Sequence, residues 1–330
     1  MTDRNKITNS NFGTSDRRLP EFIIAGAMKS GTTSLHHVLA HDPRIFIPFE
    51  EIHFYDIDDL VQHPDFFFFD GTRWFYPNLT DRLEAYLDWY ESFFTKAGAD
   101  QHIGEDSTIY LASSKAAERI SRLNPDAKII IIMRDPASRT YSHYWHLVNS
   151  GRAIWDFESS LQVMPENLIQ RSLYKQQIEN FLKFIPREKI HFIVFEEFIK
   201  DMETSLKEVY RFLEISFDGV DLAQIDTHRG SAMSPKKLNL QLWRNRILRL
   251  KAKHTYHNHL VEVPDEQNAS TGMAVRSLDF LHRKFNPLQP VRPPKMKKET
   301  RDFLNYYFSG ENRGISELIG VNVDEYWYRS

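Results

Sequence analysis

The stretch Glu21–Asp56, EFIIAGAMKSGTTSLHHVLAHDPRIFIPFEEIHFYD, predicts the fold of this chain. It begins with a short apolar run, Phe22–Ala25, of the length and composition typical of a buried parallel strand. The turn that follows, GAMKSGTT at 26–33, is rich in glycine and hydroxyl residues, and a helical pattern runs from Ser34 to about Ala40. A strand, a glycine-bounded turn and a helix together present backbone N–H groups and a helix N-terminus to a phosphate. The sequence therefore predicts a phosphate-binding loop.

The lysine of this loop is displaced from its position in nucleotide hydrolases and kinases. Those loops follow G-x-x-x-x-G-K-[ST], in which the lysine comes after the second glycine and the hydroxyl binds Mg²⁺. Here Gly26 and Gly31 keep the glycine spacing, but Thr32 follows the second glycine and the lysine is Lys29. We therefore expect Lys29 to lie on the loop itself, aimed at the far end of a phosphate chain, while Thr32 and Thr33 cap the helix.

Further strands and helices alternate along the chain. Strand-like runs occur at His102–Ser107, Lys128–Met133 and Ile190–Phe195, and segments with helical spacing lie between them. This alternation predicts a doubly wound α/β fold with a mostly parallel sheet. In such sheets ligands bind at the carboxyl ends of the strands.

Composition limits the classes of protein to which the chain can belong. The 330 residues include 42 basic and 45 acidic ones, a formal net charge of −3, which argues against a general nucleic-acid binder. The absence of cysteine excludes disulfides and thiolate metal sites. No apolar run approaches the ~18–20 residues of a membrane span, and the polar N-terminus lacks a signal-peptide core. We expect a cytoplasmic protein without a transmembrane segment, in which 1–19 is a disordered lead-in and 20–330 is one domain.

A second anion site is predicted where the strongest strand ends. Arg134 directly follows Lys128–Met133, and Ser142 lies two turns into the helix that Pro136 begins. An arginine fork and a hydroxyl suit a second phosphate, separate from the one in the loop. Two alternatives remain: Arg134 pairs with Asp135 or another acid, or Asp135 is the Mg²⁺-binding aspartate of a kinase.

The end of the opening stretch carries a different cluster of polar residues. Glu50 and Glu51 are adjacent, and His53 follows them among aromatic residues. Two carboxylates beside a histidine can form a metal site, general acid–base machinery or an ordinary surface turn. The residues alone leave these three interpretations open.

Several segments resemble motifs of the sulfotransferases that use 3′-phosphoadenosine 5′-phosphosulfate (PAPS). They are KSGTT, PFEEIHFYD, GEDSTIY, RDPASRTYSHYWH and RSLYKQQIENFLKFIPREKIHFIVFEEF. The order of these motifs and their residues are most similar to the heparan-sulfate and carbohydrate branch of that family, and the resemblance spans residues 20–230. It implies a single P-loop-like α/β domain with a central, mostly parallel sheet flanked by helices.

The resemblance also implies which residues bind the cofactor. The KSGTT loop would hold the 5′-phosphosulfate, and the strand-end arginine and the later serine would hold the 3′-phosphate. A loose match of 231–237 to the loop that closes over the cofactor adds one lysine. The candidate cofactor-binding residues are therefore Lys29, Ser30, Gly31, Thr32, Thr33, Ser34, Arg134, Ser142 and Lys236.

Other residues are implied to act on the acceptor. Glu51 would be the catalytic base, so the candidate catalytic residues are Lys29, Glu51 and His53. The candidate substrate-binding residues are Glu51, His53, Asp106, Arg171 and Tyr174. Asp106 replaces a lysine that contacts anionic glycan in the heparan enzymes, and Glu50 also stands where lysine is usual. Both changes argue against a highly sulfated polyanion as acceptor.

The predicted activity is the transfer of a sulfuryl group from PAPS to a hydroxyl of a carbohydrate or small-metabolite acceptor, with PAP as product. No metal is required, because Lys29 takes the place of Mg²⁺. Residues 235–300, with a basic amphipathic pattern at 238–253, would form a variable lid or acceptor-side region. Two other hypotheses remain: a P-loop kinase or NTPase, which needs Mg²⁺, and a non-catalytic module that binds PAP without transferring sulfate.

Overall fold

The computed structural model describes residues 17–220, 222, 233–249, 259, 261 and 273–328, and the structural statements below concern these residues. The predicted lead-in lies outside them except for 17–19. There the Arg17 guanidinium forms ion pairs with Glu84, Asp88 and Glu91. The chain is thus already attached to the domain at Arg17.

Five parallel strands form the central sheet, in the spatial order β2-β5-β1-β6-β7. Two small antiparallel sheets of two strands each, β3–β4 and β8–β9, lie outside it. In chain order the strands are β1 Phe22–Gly26, β2 Ile45–Phe46, β3 Phe68–Phe69, β4 Trp74–Phe75, β5 His102–Asp106, β6 Lys128–Met133, β7 Ile190–Val194, β8 Ser234–Pro235 and β9 Leu288–Gln289.

Helices cover both faces of the sheet. In chain order they are α1 Thr32–His41, α2 Leu83–Ser92, α3 Ala116–Leu123, α4 Pro136–Asn149, α5 Phe157–Val163, α6 Pro165–Leu168, α7 Tyr174–Leu182, α8 Phe195–Lys200, α9 Met202–Leu213, α10 Leu238–Arg249, α11 Met273–Phe285, α12 Lys298–Glu311 and α13 Ile315–Ile319. The predicted fold class, a P-loop-like α/β domain with a parallel central sheet, is confirmed.

The two sheet faces follow from the alternation of side chains along each strand. In β6, Ile129 and Ile131 belong to a core that includes α3 and α7, whereas Ile130 and Ile132 belong to the core against α1 and α9. All four are fully buried, which explains why β6 is an uninterrupted apolar run instead of an alternating pattern.

Because the five strands are parallel, their carboxyl ends lie along one edge of the sheet. β1 lies between β5 and β6, with Ile24 opposite Asp106 on one side and Ile130 on the other. The backbone at the end of β1 is crowded: a Cβ on Gly26, whose φ is +138°, would lie 2.6 Å from Thr108 O. Only glycine fits where the chain turns into the loop.

The described part of 235–300 packs against α4. The Asn245 amide on α10 donates to Val148 O at 2.8 Å and to Ala153 O at 2.9 Å. Residues 250–253 of the predicted basic helix lie outside the described residues, and the role of 235–300 as a lid stays a prediction. Across the described ranges, no helix combines the length and the apolarity needed to cross a membrane.

Candidate active site

The loop between β1 and α1 leaves a row of backbone donors open. Lys29 and Gly31 have left-handed backbone conformations, with φ of 68° and 98°, and α1 begins at Thr32. Ser30 N donates to Ala27 O at 3.1 Å. Within the described ranges, no acceptor is found for the N–H groups of Gly31, Thr32 and Thr33. Three consecutive donors at a helix N-terminus form an anion-binding cradle.

Gly31 is required by a close neighbour as well as by its φ. A Cβ at this position would lie 2.5 Å from Phe195 Cδ2 and 2.6 Å from Phe195 Cε2. Phe195, the first residue of α8, also lies under the Arg134 guanidinium, with Cζ 5.0 Å from the ring centroid. This ring therefore supports both anion-binding elements. The sequence predicted Phe195 only as the last residue of a strand, because an apolar residue type carries no information about its distant neighbours.

Lys29 and Arg134 are two partly buried cations. In the part of the chain that the structure describes, no carboxylate lies within ion-pairing distance of either. Burial lowers the pKa of Lys29. The negative charge of Glu51 acts to raise this pKa, and the positive charge of Arg134 lowers it further. Burial also lowers the pKa of Arg134 from a value so high that the group stays charged. Uncompensated buried charge is costly unless an anion binds there.

Asp135 is occupied elsewhere, which argues against both alternatives for Arg134. Its Oδ1 accepts a hydrogen bond from Ser138 N at 2.8 Å and caps α4. The same atom pairs with Arg301 on α12 at 2.9 Å. Asp135 therefore neither pairs with Arg134 nor presents a carboxylate to Mg²⁺.

The remaining predicted anion ligands differ in their placement. Ser142 is on α4, partly exposed, and Thr33 and Ser34 are accessible in the first turn of α1. Tyr174 is fully buried and donates from its hydroxyl to Arg134 O at 3.0 Å, so it supports the strand end. Lys236 directly follows β8 and is exposed, and among the described residues no hydrogen bond or ion pair joins it to the loop.

Glu51 lies across the sheet edge from the loop, held by Thr108. Its Oε2 accepts from Thr108 Oγ1 at 2.9 Å and lies 3.4 Å from His53 Nε2. Burial acts to raise the pKa of Glu51, but the interactions with His53 and Thr108 outweigh it and lower that pKa. The side chain keeps 41% of its surface exposed, so the carboxylate can reach a bound molecule.

A buried network of hydrogen bonds around Ser107 holds the backbone next to Glu51 in place. Ser107 Oγ accepts from the N–H groups of Ile52 and His53, at 3.2 and 2.9 Å, and donates to Glu105 Oε1 at 2.6 Å. Tyr110 donates to the same oxygen at 2.6 Å, and Tyr90 to the other. Burial raises the pKa of Glu105 to about 6 despite these hydrogen bonds. The sequence placed Asp106 in this segment as the functional residue and missed the role of its neighbours.

Asp106 itself does not face the cavity. Its Oδ2 lies 3.2 Å from His36 Nδ1 on α1, and burial raises the pKa of Asp106 to about 6. A cavity of about 450 Å³ opens instead beside Glu51 and His53. It extends from Met28 on the loop to Phe66, His146 and Arg171.

Several side chains in the wall of this cavity carry no net charge. Burial lowers the pKa of His146 to about 4 and holds that of His143 well below its ordinary value, so both imidazoles are uncharged at pH 7. Asp65 and Arg152 form an ion pair in the wall. The predicted ligand Arg171 is buried, and donates to the side chain and the backbone of Gln62, both at 3.2 Å. The structure thus brings Lys29, Arg134, Glu51, His53 and Arg171 to one edge.

Comparison with known proteins gives matches over most of the chain. The model of the "Sulfotransferase family" matches residues 20–219. Among curated proteins, the chain is 26% identical over 211 residues to heparan sulfate glucosamine 3-O-sulfotransferase 5 of Mus musculus, with 60% of this chain and 54% of that protein covered. It is 27% identical over 233 residues to bifunctional heparan sulfate N-deacetylase/N-sulfotransferase 3 of Homo sapiens, covering 64% and 24%. The chain thus spans about half or less of the length of these relatives.

A solved structure extends the similarity over nearly the whole chain. The sulfotransferase from Alicyclobacillus acidocaldarius superposes with a TM-score of 0.60 at 24% identity, covering 94% of this chain and 99% of the other. At this level of identity the likeness supports the fold.

Proposed function

Because the chain belongs to the sulfotransferase family, we propose that it transfers a sulfuryl group from PAPS to a hydroxyl of a carbohydrate or small-metabolite acceptor. One observation carries the proposal. Lys29 and Arg134, neither with a carboxylate partner among the described residues, flank three open backbone N–H groups at the end of the central sheet. The arrangement suits a ligand with two separate anionic groups.

The donor would bind along this edge. Its 5′-phosphosulfate would lie on the cradle of Gly31, Thr32 and Thr33, with Lys29 above it. Its 3′-phosphate would contact Arg134 and Ser142. The guanidinium is held over Phe195 and its backbone is held by Tyr174, so the fork is preorganised for phosphate.

Each step of the transfer has a residue to assist it. Glu51 would take the proton of the acceptor hydroxyl while that oxygen attacks sulfur, and a positioned base typically contributes ~10²–10⁴-fold. The bond from sulfur to the bridging oxygen breaks, and negative charge accumulates on the 5′-phosphate of PAP. Lys29, the cradle and the α1 dipole would stabilise that charge.

The cavity beside Glu51 supports the proposal of a small acceptor. Its volume of about 450 Å³ falls within the range of ~300–1,000 Å³ that is usual for small ligands. His143 and His146 are neutral there, and the Asp65–Arg152 pair cancels its own charge. The relatives' names point to glycan acceptors, but this wall suits a neutral sugar or alcohol better than a sulfated polyanion.

The proposal is tested by following PAP and sulfated product by mass spectrometry. The purified protein is incubated with PAPS and with neutral sugars, lipid-linked alcohols and small-metabolite alcohols, in buffer without added Mg²⁺. We expect PAP and sulfated product in equal amounts. Lys29→Met should lower turnover by ~10²–10³-fold, and Lys96→Met, at an exposed position on the same domain, should not.

Two outcomes would contradict the proposal. Mg²⁺-dependent turnover of ATP, with PAPS left intact, would indicate a kinase or NTPase. Tight binding of PAP with no transfer to any acceptor class would indicate a non-catalytic module.

A further inference from the structure

Three buried side chains converge behind the wall of the cavity. His53 and Asp56 belong to the turn after Glu51, and His63 precedes the short helix Pro64–Phe66. Their exposed fractions are 8%, 0% and 5%. Asp56 Oδ1 lies 2.9 Å from His63 Nε2 and 3.8 Å from His53 Nδ1, and one ligand atom from each residue lies within 4.8 Å of the others.

The polar atoms of this cluster are unsatisfied. Both carboxylate oxygens of Asp56, Nδ1 of His53 and Nε2 of His63 are buried and have no hydrogen-bond partner among the described residues. The 2.9 Å approach of His63 to Asp56 lacks the alignment of a hydrogen bond. No lysine or arginine of the described chain pairs with Asp56. Buried polar atoms almost always have partners, and an unpartnered group can mark an ion site.

We propose that His53, Asp56 and His63 bind one divalent transition-metal ion of the zinc class. Two imidazoles and one carboxylate are the ligand set of many zinc sites with an open position. In a tetrahedral site with metal–ligand distances of ~2.0–2.1 Å, two ligand atoms lie ~3.3 Å from each other. The distances from Asp56 Oδ1 to His63 Nε2 and to His53 Nδ1, 2.9 and 3.8 Å, lie on either side of this value. Imidazole ligands favour zinc, cobalt or copper over magnesium and calcium.

The neighbours of the cluster fit a metal site. The His63 ring stacks on Phe66, with centroids 4.5 Å apart and planes 2° apart, so its orientation is restrained. The other nitrogen of His53, Nε2, lies 3.4 Å from Glu51 Oε2. Metal-bound histidines commonly donate their second N–H to a carboxylate. A metal on Nδ1 would fix the proton on Nε2 and aim it at Glu51.

The site is therefore a positioning device as well as a ligand cluster. His53 and His63 both line the cavity, so the cluster lies directly beside it. The metal ties the turn that carries Glu51 to the segment before Phe66. This extends the metal interpretation that the sequence left open for the Glu50–His53 region, with Asp56 and His63 as ligands in place of the two glutamates.

The test measures metal binding directly. Full-length protein is stripped with a chelator, dialysed, and titrated with Zn²⁺ by calorimetry and with Co²⁺ by its visible absorption. We expect one equivalent of either ion, a Co²⁺ spectrum of tetrahedral type, and a raised melting temperature with Zn²⁺. Asp56→Asn and His63→Ala should each weaken Zn²⁺ binding at least ~100-fold, whereas His146→Ala, in the same cavity wall, should leave it unchanged.

Circular dichroism of each metal-free variant shows whether it folds. Asp56→Asn preserves shape, so it serves if His63→Ala does not fold. The proposal is overturned if the wild type binds no Zn²⁺ or Co²⁺, if Asp56→Asn binds them equally well, or if Mg²⁺ displaces Zn²⁺. The titration contains neither PAPS nor acceptor, so its result is separate from that of the transferase assay.

Discussion

Replacing Gly31 with alanine tests the anion cradle most directly. The substitution has two free-energy costs, one from the backbone conformation and one from a steric clash. Alanine at a φ of +98° costs about 1–2 kcal/mol, because Cβ approaches the following carbonyl in the left-handed region. The new Cβ would also lie 2.5 Å from Phe195, and overpacking of this kind costs about 1–3 kcal/mol.

The two costs together amount to about 2–5 kcal/mol. If the loop keeps its shape, they lower the free energy of unfolding. If the loop relaxes, the N–H groups turn away and the affinity for PAP falls instead. The loss in free energy of unfolding is measured by chemical denaturation without ligand, and the loss in PAP binding free energy by calorimetric titration. The sum of these two losses is therefore the quantity to compare with the expected cost. A sum of 2–5 kcal/mol corresponds to about 30–5,000-fold in an equilibrium constant.

Gly71 provides a matched control. Its φ is +109°, but a Cβ there would meet nothing within 4 Å. Gly71→Ala should therefore lose only about 1–2 kcal/mol of stability and bind PAP like the wild type. Adding Phe195→Ala to Gly31→Ala should remove the steric part of the cost. Wild-type stability together with wild-type PAP affinity in Gly31→Ala would refute the reasoning.

Three further substitutions test other parts of the site. Glu51→Gln should lower kcat by ~10²–10⁴-fold with nearly unchanged PAP affinity, since the amide can still accept from Thr108, and Glu50→Gln should behave like the wild type in the same steady-state assay. Arg134→Met should weaken PAP binding by ~10–100-fold, the value of a charge-assisted hydrogen bond of about 1.5–3 kcal/mol, but should hardly affect binding of adenosine 5′-phosphosulfate, which lacks the 3′-phosphate. Ser107→Ala should lower the free energy of unfolding by about 1–3 kcal/mol, because it leaves two backbone N–H groups without their acceptor, and should lower kcat through the displaced Glu51 turn.

Each of these expectations has a result that contradicts it. A fully active Glu51→Gln would place the base elsewhere, with His53 the next residue to test. Equal losses for the two nucleotides in Arg134→Met would mean that the arginine does not bind the 3′-phosphate. Wild-type stability and kcat in Ser107→Ala would show that the hydroxyl does not hold the turn.

The sequence predicted the sheet well where local patterns decide the structure. Lys128–Met133 forms β6 with the predicted bounds, because a short run of β-branched isoleucines favours a strand that is buried on both faces. α4 begins at Pro136 as predicted, because Asp135 caps it and proline suits its first turn. Lys29 and Arg134 were proposed from short motifs, one in the loop after β1 and the other directly after β6.

Contacts between distant segments gave no signal in the sequence. The Tyr174 hydroxyl donates to Arg134 O inside the domain, and the contact of Tyr174 with substrate stays a prediction. Thr108 and Ser107 hold the Glu51 turn from the next strand end. These contacts join segments that are far apart in the chain, so they cannot be predicted from residue type or from spacing in the sequence.

The sequence by itself determined the order of strands and helices, the loop that precedes α1 and the family to which the chain belongs, because apolar periodicity and short motifs act over a few residues. Only the tertiary structure decided which polar groups are left without partners. The pairing of Asp135 with Arg301 leaves Arg134 for an anion, and the convergence of His53, Asp56 and His63 creates a cluster that lacks hydrogen bonds. Burial and charge compensation depend on segments that meet only when the sheet has formed.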